Sequence, residues 1–224
     1  MVVALKAPRV FLASSSPQRY RLLQAMELDF SVISPDIDET PKNDESPSNY
    51  VLRLAVQKSA EAVQMAPQST LERIFVGADT CVSIDEHKLG KPENMAEARQ
   101  MLELLSGQIH QVYSAVSVTN CRITRCVVAV SEVEFNQLTE TQIQSYLASG
   151  ESENRAGAYA IQGRAVAFIK RVVGSLTSVI GMPVKETAEL LELTGVSVPS
   201  YASVAGNVLA EFQFEHCWPD DYYI

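Results

Sequence analysis

Residues 10–28 read VFLASSSPQRYRLLQAMEL. The apolar run Val10 to Ala13 passes through Ser14, Ser15 and Ser16 to Pro17, and then into a segment that carries Leu22, Leu23 and Met26 on one stripe. This is the order strand, turn, N-cap, first helical residue: a serine hydroxyl accepts from an otherwise unpaired first-turn amide, and proline at the first helical position loses no bond. The pattern predicts a helix from Pro17 to about Leu28. A strand feeding directly into a helix is the repeating unit of layered α/β folds.

Outward from this unit the alternation continues. Pro35 to Pro47 is polar and acidic and reads as a loop, and Ser46 with Pro47 opens a second helix reaching about Met65. Ile74 to Ile84 is β-rich, Asp85 to Lys88 supplies a turn, and Met95 to Leu105 reads as a helix closed by Gly107. Val112 to Thr119 and Cys126 to Phe135 read as strands; no linker sets them apart, and they either continue the first unit or form a second lobe beside it with a cleft between, so the number of domains stays open. Thr139 and Gln142 make a capping-box pattern for a helix ending near Gly150. Ala165 to Val173 reads as a strand and Pro183 to Leu193 as a helix before Gly195.

Composition bounds the function. Of 224 residues 46% are hydrophobic and 20% charged, which excludes a disordered chain. Lys plus Arg make 18 and Asp plus Glu 27, so the net charge is −9, which argues against a general nucleic-acid-binding surface but permits a local basic pocket for a small polyanion. The cysteines, Cys81, Cys121, Cys126 and Cys217, include no CxxC pair, so neither a zinc site nor a disulfide framework is expected. None of His87, His110 and His216 accompanies a serine or cysteine nucleophile motif. No stretch approaches the roughly 18 uninterrupted apolar residues that span a bilayer, and a signal-peptide pattern is lacking, so a soluble cytoplasmic protein is expected, with no membrane partner.

Charges stand where a core belongs. Arg19 falls on the centre of the Leu22, Leu23, Met26 stripe, and a first-turn cation opposes the helix dipole by about 0.3–1 kcal/mol unless an anion sits between it and the helix N-terminus. Turn amides from Ser14 to Ser16 are placed to share that anion; the alternatives are snorkelling to solvent or pairing with an acid. In the second helix Val51, Leu54, Ala55 and Ala62 share a face from whose middle Lys58 projects. Asp79 follows the apolar run Ile74 to Ala78, and Lys91 follows the hairpin just before Pro92. Three such cations, with Asp79 and the loop carboxylates Asp38 and Glu39, suggest a site for phosphate plus a divalent metal.

These residues lie in stretches that, taken together, resemble the Maf-type nucleoside triphosphate pyrophosphatases, also called septum-formation inhibitor proteins. The stretches are LASSSPQRYRLL from Leu12, DIDETP from Asp36, YVLRLAVQKS from Tyr50, GADTCV from Gly77, LGKP from Leu89, LSGQIHQVYSAV from Leu105, SGESENRAGAYAIQG from Ser149 and GSLTSVIGMPVKET from Gly174. The resemblance implies a mixed twisted sheet with flanking helices and two lobes around a deep cleft. It also implies a divalent cation, Mg²⁺ or Mn²⁺, and hydrolysis of a nucleoside triphosphate to the monophosphate and pyrophosphate. Carried over position by position, Ser14, Arg19, Glu39, Lys58, Asp79 and Lys91 take the family's phosphate, metal and catalytic places. Asp79 is then the base or orienter of water and, with Glu39, a metal ligand. A homodimer is the family expectation.

The resemblance extends to the choice of base. AGAYAIQG, Ala156 to Gly163, is similar to the thymidine and uridine triphosphate type, where the methylguanosine type has glutamate in place of Gln162. A glutamine amide offers the donor and acceptor that match a uracil or thymine imide edge. Thr80 also matches the pyrimidine type. Gln18 departs from it, standing where that type usually has arginine, and DETPKNDESP is nearer the methylguanosine type, so a 7-methyl-GTP pyrophosphatase is an alternative expectation. A further one, from another class, is a nucleotide-binding regulatory module linked to cell division. The domain is expected over residues 1–195. Residues 196–224 form an acidic tail carrying Tyr201, Phe212, Phe214, Trp218, Tyr222 and Tyr223, expected to be a packing arm or a dimer contact.

Overall fold

A computed structural model describes residues 9–68 and 72–212. Phe214, His216, Cys217, Trp218, Tyr222 and Tyr223 lie outside the described residues.

The elements in chain order are β1 (Arg9–Ala13), α1 (Pro17–Gln24), β2 (Phe30–Ile33), α2 (Pro47–Met65), β3 (Arg73–Ile84), β4 (His87–Leu89), α3 (Met95–Leu105), β5 (Ile109–Thr119), β6 (Thr124–Phe135), α4 (Glu140–Leu147), β7 (Ile169–Val173), α5 (Leu176–Ile180), α6 (Val184–Glu192) and α7 (Tyr201–Phe212). They build a mixed α/β fold around one seven-stranded sheet of order β2-β1-β3-β5-β6-β7, with β4 paired to β3. β2, β1 and β3 run parallel, and β3, β5, β6 and β7 pair antiparallel. β5 and β6, for which a second lobe is one reading, thus continue the same sheet.

Alternating residues of the strands feed opposite faces of the sheet, as the two-residue period of a strand requires. Phe11, Ala13 and Phe75 pack on Ala62 and Ala66, and Cys81 and Ala115 on Val51 and Ala55, so α2 covers one face. Val10, Leu12, Ile74, Val76, Ala78 and Val82 join the larger cluster that takes the buried residues of α1 and α3 to α7. Close contact of α2 with the sheet depends on Gly77: a Cβ there would lie 2.3 Å from the Ala55 carbonyl oxygen and 2.7 Å from the Ser59 amide nitrogen.

Register leaves one gap that matters. β1 pairs with β3 only as far as Ala13 opposite Gly77, and β4 takes the same edge from Val82 onward, while β5 occupies the other edge. Ala78 to Cys81 therefore lack a strand neighbour on the β1 side. This opening lies beyond the carboxyl end of β1, where open α/β sheets bind ligands.

Several expected boundaries shift. α1 stops at Gln24 rather than Leu28, because the chain turns at Ala25 and Glu27 takes a left-handed φ of 55°. The turn after Ile84 is tighter than expected: Asp85 and Glu86 both have positive φ, which returns the chain at once into β4. Ala165 to Val173 is not one strand; Arg164–Phe168 is a 3₁₀ segment, and β7 begins at Ile169. β2 and α5 are too short to show a period, and α7 lies in the expected tail. Its Val204, Val208 and Phe212 are buried in the large core, and the Asn207 side chain donates to the Ala25 carbonyl at 3.0 Å.

Candidate active site

A cavity of about 620 Å³ opens over the gap in the sheet. Its lining includes Ser14, Gln18, Arg19, Glu39, Lys58, Asp79, Thr80, Lys91 and Gln162, so nine of the ten residues selected from sequence converge on one cleft. Asp38 does not line it; this residue is in the exposed loop, where its carboxylate accepts from the Thr40 amide at 2.9 Å. A second depression of about 440 Å³ shares the three serines but lies toward Tyr20, Arg21 and Glu211, away from the carboxylates.

The centre is an ion triad. Lys58 Nζ lies 2.6 Å from Asp79 Oδ1 and 2.7 Å from Glu39 Oε1, with Lys58 and Asp79 both buried. α2 supplies the lysine and β3 the aspartate, and the absent Cβ of Gly77 lets the two elements approach. Lys91, from the segment after β4, faces the other oxygen of Glu39 at 3.8 Å. Burial pushes the Glu39 carboxyl up, but the Lys58 hydrogen bond and the charges of Lys58, Lys91 and Arg19 more than offset this, so it titrates below the usual range.

Thr80, adjacent to Asp79, points to the opposite face. Its hydroxyl contacts the Gly181 carbonyl at 3.1 Å and the Ser114 hydroxyl at 2.8 Å, and Ser114 donates to the Ser178 carbonyl at 2.6 Å. Arg19 joins this set: Nε donates to the Gly181 carbonyl at 2.9 Å, and a terminal nitrogen is 3.5 Å from Thr80 Oγ1 and 3.8 Å from Asp79 Oδ1. Arg19 therefore neither snorkels to solvent nor forms a close fork with an acid. It is held by a carbonyl beside the gap in the sheet, with its remaining donors available to an anion.

The serine turn is ordered by its own side chains. Ser14 Oγ accepts from the Ser16 amide at 3.1 Å, and Ser16 caps α1. Ser16 Oγ also donates to the Gln18 amide oxygen at 3.2 Å, which leaves the Gln18 NH₂ to reach a ligand. At the far wall, Gln162 sits on a loop fixed from beneath: the Ala160 amide donates to the Tyr146 hydroxyl at 3.0 Å, and Tyr159 OH is 2.9 Å from His110 Nε2.

Four contributors escaped the sequence reading. The Tyr50 hydroxyl donates to the Glu39 carbonyl at 3.0 Å, and burial, reinforced by the Asp79 and Glu39 charges, pushes its ionisation up so that it remains a donor. Arg53 forks onto Glu45 at 2.6 and 2.8 Å and donates to the Thr40 carbonyl at 3.1 Å, fastening the Glu39 loop to α2. Ser114 and Gly181 organise Thr80 and Arg19. The spacing of Glu45 and Arg53 around an N-cap was the one available signal; Tyr50 acts through a backbone carbonyl in the loop before α2, and Ser114 and Gly181 meet Thr80 from elements distant in sequence. Cys81 also lines the cleft, but burial and the nearby Asp79 charge push its thiol up to about 12, which removes it as a nucleophile.

The donor set fits one hard divalent cation shared with a ligand. No group of three or more His, Cys, Asp or Glu side chains that could hold a metal occurs among the described residues. Lys58 takes one oxygen of each carboxylate, and the others, Asp79 Oδ2 and Glu39 Oε2, make no hydrogen bond among the described residues. Mg²⁺ characteristically uses one or two carboxylates with phosphate oxygens and water, so a two-carboxylate site matches it better than a complete protein cage.

Fold and cleft together define a class: a mixed α/β protein that gathers cations around a carboxylate pair beyond the ends of its parallel strands. Within that class the chain belongs to the Maf family, since the sequence profile of the Maf-like proteins matches residues 9–194. It is 43% identical over 199 residues to a dTTP/UTP pyrophosphatase of Nitrosospira multiformis, covering 85% of this chain and 96% of that protein. It is also 43% identical over 183 residues to a nucleoside triphosphate pyrophosphatase of Xylella fastidiosa, covering 81% and 96%. The solved Ham1 protein of Staphylococcus aureus aligns with a TM-score of 0.41 and 15% identity over 57% of this chain and 71% of that one, too distant to bear on function.

Proposed function

We propose that the protein hydrolyses dTTP and UTP to the monophosphate and pyrophosphate. The observation that carries this reading is the buried Lys58 ammonium held between Asp79 and Glu39 in a cleft with Arg19 and Lys91, in a chain 43% identical to a dTTP/UTP pyrophosphatase.

Cleaving the bond between the α- and β-phosphates builds negative charge on the nonbridging oxygens and on the departing pyrophosphate. Lys58, Arg19 and Lys91 neutralise that charge from three sides of the cleft. Asp79 orients and deprotonates the attacking water through Oδ2, while the Lys58 hydrogen bond to Oδ1 keeps the carboxylate aimed. The Ser14 hydroxyl and the Gln18 NH₂ donate to phosphate or sugar oxygens, Thr80 holds Arg19 in place, and the Gln162 amide pairs with the imide edge of the base. Glu39 Oε2, with the Asp79 carboxylate beside it, would hold a divalent cation, Mg²⁺ or Mn²⁺. When bound, it supplies further charge neutralisation on the phosphates.

The catalytic domain in this reading spans residues 1–195, and the segment from 196 onward is an arm that packs on it through α7. A cytoplasmic homodimer completes the reading. No helix among the described residues is long and apolar enough to cross a membrane.

The test is pyrophosphate release from canonical and modified nucleoside triphosphates with Mg²⁺, Mn²⁺ or EDTA, using the wild type and Asp79→Asn. Metal-dependent release from dTTP and UTP, lost in the variant, is expected. Release confined to 7-methyl-GTP would transfer the protein to the other family type. Tight binding without release from any nucleotide would favour a regulatory module.

A further inference from the structure

Every cleft cation discussed so far has a partner in the protein; Arg155 has none among the described residues. It lines the same cavity, is half-buried, and among the described residues its guanidinium makes neither a hydrogen bond nor an ion pair. The nearby acid Glu151 is already engaged: its Oε2 accepts from the Arg164 amide at 2.8 Å, and Oε1 lies 3.7 Å from the Arg164 guanidinium. Burial pushes the Arg155 ionisation down, with only partial compensation from Tyr146 and Glu151.

Position gives this residue a direction. The Gly157 amide donates to the Gly90 carbonyl at 3.1 Å, which ties the Arg155 segment to the one that carries Lys91. Gly157 has a φ of 67°, and a Cβ there would meet the Val82 side chain at 3.0–3.1 Å, so the loop is seated tightly against β3. The Arg155 carbonyl accepts from the Ala158 amide at 3.0 Å, closing the turn. Arg155 and Lys91 therefore sit on one stitched wall of the cleft, and Lys91 in turn faces Glu39 at the triad.

A guanidinium presents five donors in a planar fork that matches phosphate oxygens bidentately, and since no Arg155 nitrogen is among the fully buried, unpaired side-chain atoms of the described residues, those donors stay open to the cleft. We propose that Arg155 is a further substrate-contacting residue that, together with Lys91, receives the terminal phosphates, the part of a nucleoside triphosphate that leaves as pyrophosphate. The inference rests on the nucleotide reading of this cleft, but it makes a claim about one side chain and one end of the ligand.

Isothermal titration of the full chain with inorganic pyrophosphate and, separately, with dTMP, each with Mg²⁺, tests it in the wild type, Arg155→Met and Arg155→Lys, alongside the melting temperature of each free protein. Loss of a forked, charge-assisted contact is expected to weaken pyrophosphate binding of Arg155→Met by about tenfold or more, with partial recovery in Arg155→Lys. dTMP binding is expected to stay within about twofold, and the free variant to melt no lower than the wild type. Unchanged pyrophosphate affinity, an equal loss for dTMP, a lowered melting temperature of the free variant, or a wild type that binds no pyrophosphate would each overturn the assignment. Failure of the nucleotide reading itself registers elsewhere, as absence of pyrophosphate release from every triphosphate by the wild type.

Discussion

Lys58 and Asp79, 21 residues apart in sequence and on different elements, meet at 2.6 Å in the buried floor of the cleft. Their pairing exists because α2 crosses β3 at Gly77, close enough to exclude even a methyl group. An exposed pair at this distance would contribute little, whereas a buried one leaves an uncompensated charge when either partner is lost.

Asp79→Asn is expected to lower kcat for dTTP by about 10²–10⁴-fold, the usual contribution of a positioned base. The fold should persist, because an amide fills the same volume. Pyrophosphate release and far-ultraviolet circular dichroism check the two halves; turnover at the wild-type rate would remove Asp79 from the chemistry.

Lys58→Met should do more damage to stability. It leaves Asp79 and Glu39 facing each other without their shared cation, at a cost of about 3–5 kcal/mol. Urea unfolding at pH 7 measures this, and the double variant Lys58→Met with Asp79→Asn should recover part of the loss.

Gly77→Ala adds a methyl group that must displace α2 at Ala55 and Ser59. Overpacking of this kind costs about 1–3 kcal/mol. Because Lys58 moves with α2, kcat should fall with stability, although the substitution touches no group that contacts substrate; parallel unfolding and turnover assays will show whether the two losses accompany one another.

His110 predicts the pH dependence of stability. Burial pushes its ionisation down from 6.5 to about 3, so the unfolded chain binds a proton that the folded chain refuses between those values. The stability associated with neutral His110 is complete above pH 6.5 and is lost progressively as pH falls toward 3. Glu45, held down to about 2 chiefly by its Arg53 hydrogen bonds, adds a loss that starts only below its ordinary value of 4.5. Urea midpoints should therefore fall between pH 6.5 and 4.5 in the wild type but stay nearly level in His110→Asn, with both proteins losing stability below pH 4.5.

Val208, fully buried on α7, tests the role of the C-terminal helix. Val208→Ala should cost about 2 kcal/mol from two lost methylene equivalents and the cavity they leave. An arm that merely decorates the domain would tolerate the change, and thermal unfolding separates the two.

By itself the sequence determined the alternation of helices and strands, since Ser16 before Pro17, Ser46 before Pro47 and Thr139 with Gln142 are local caps whose hydrogen bonds close within four residues. It also marked the site, because Arg19 and Lys58 interrupt apolar stripes and such interruptions are visible without coordinates. Tertiary structure alone decided that β5 and β6 extend one sheet, that β3 stays open from Ala78 to Cys81, and that Thr80 and Asp79 serve opposite faces of that opening. It alone revealed Tyr50, Ser114 and Gly181 as supports and left Arg155 without a partner among the described residues. The division has a physical cause: capping and periodicity are set by neighbours along the chain, whereas sheet order, close approach and the pairing of charges depend on residues that only packing brings together.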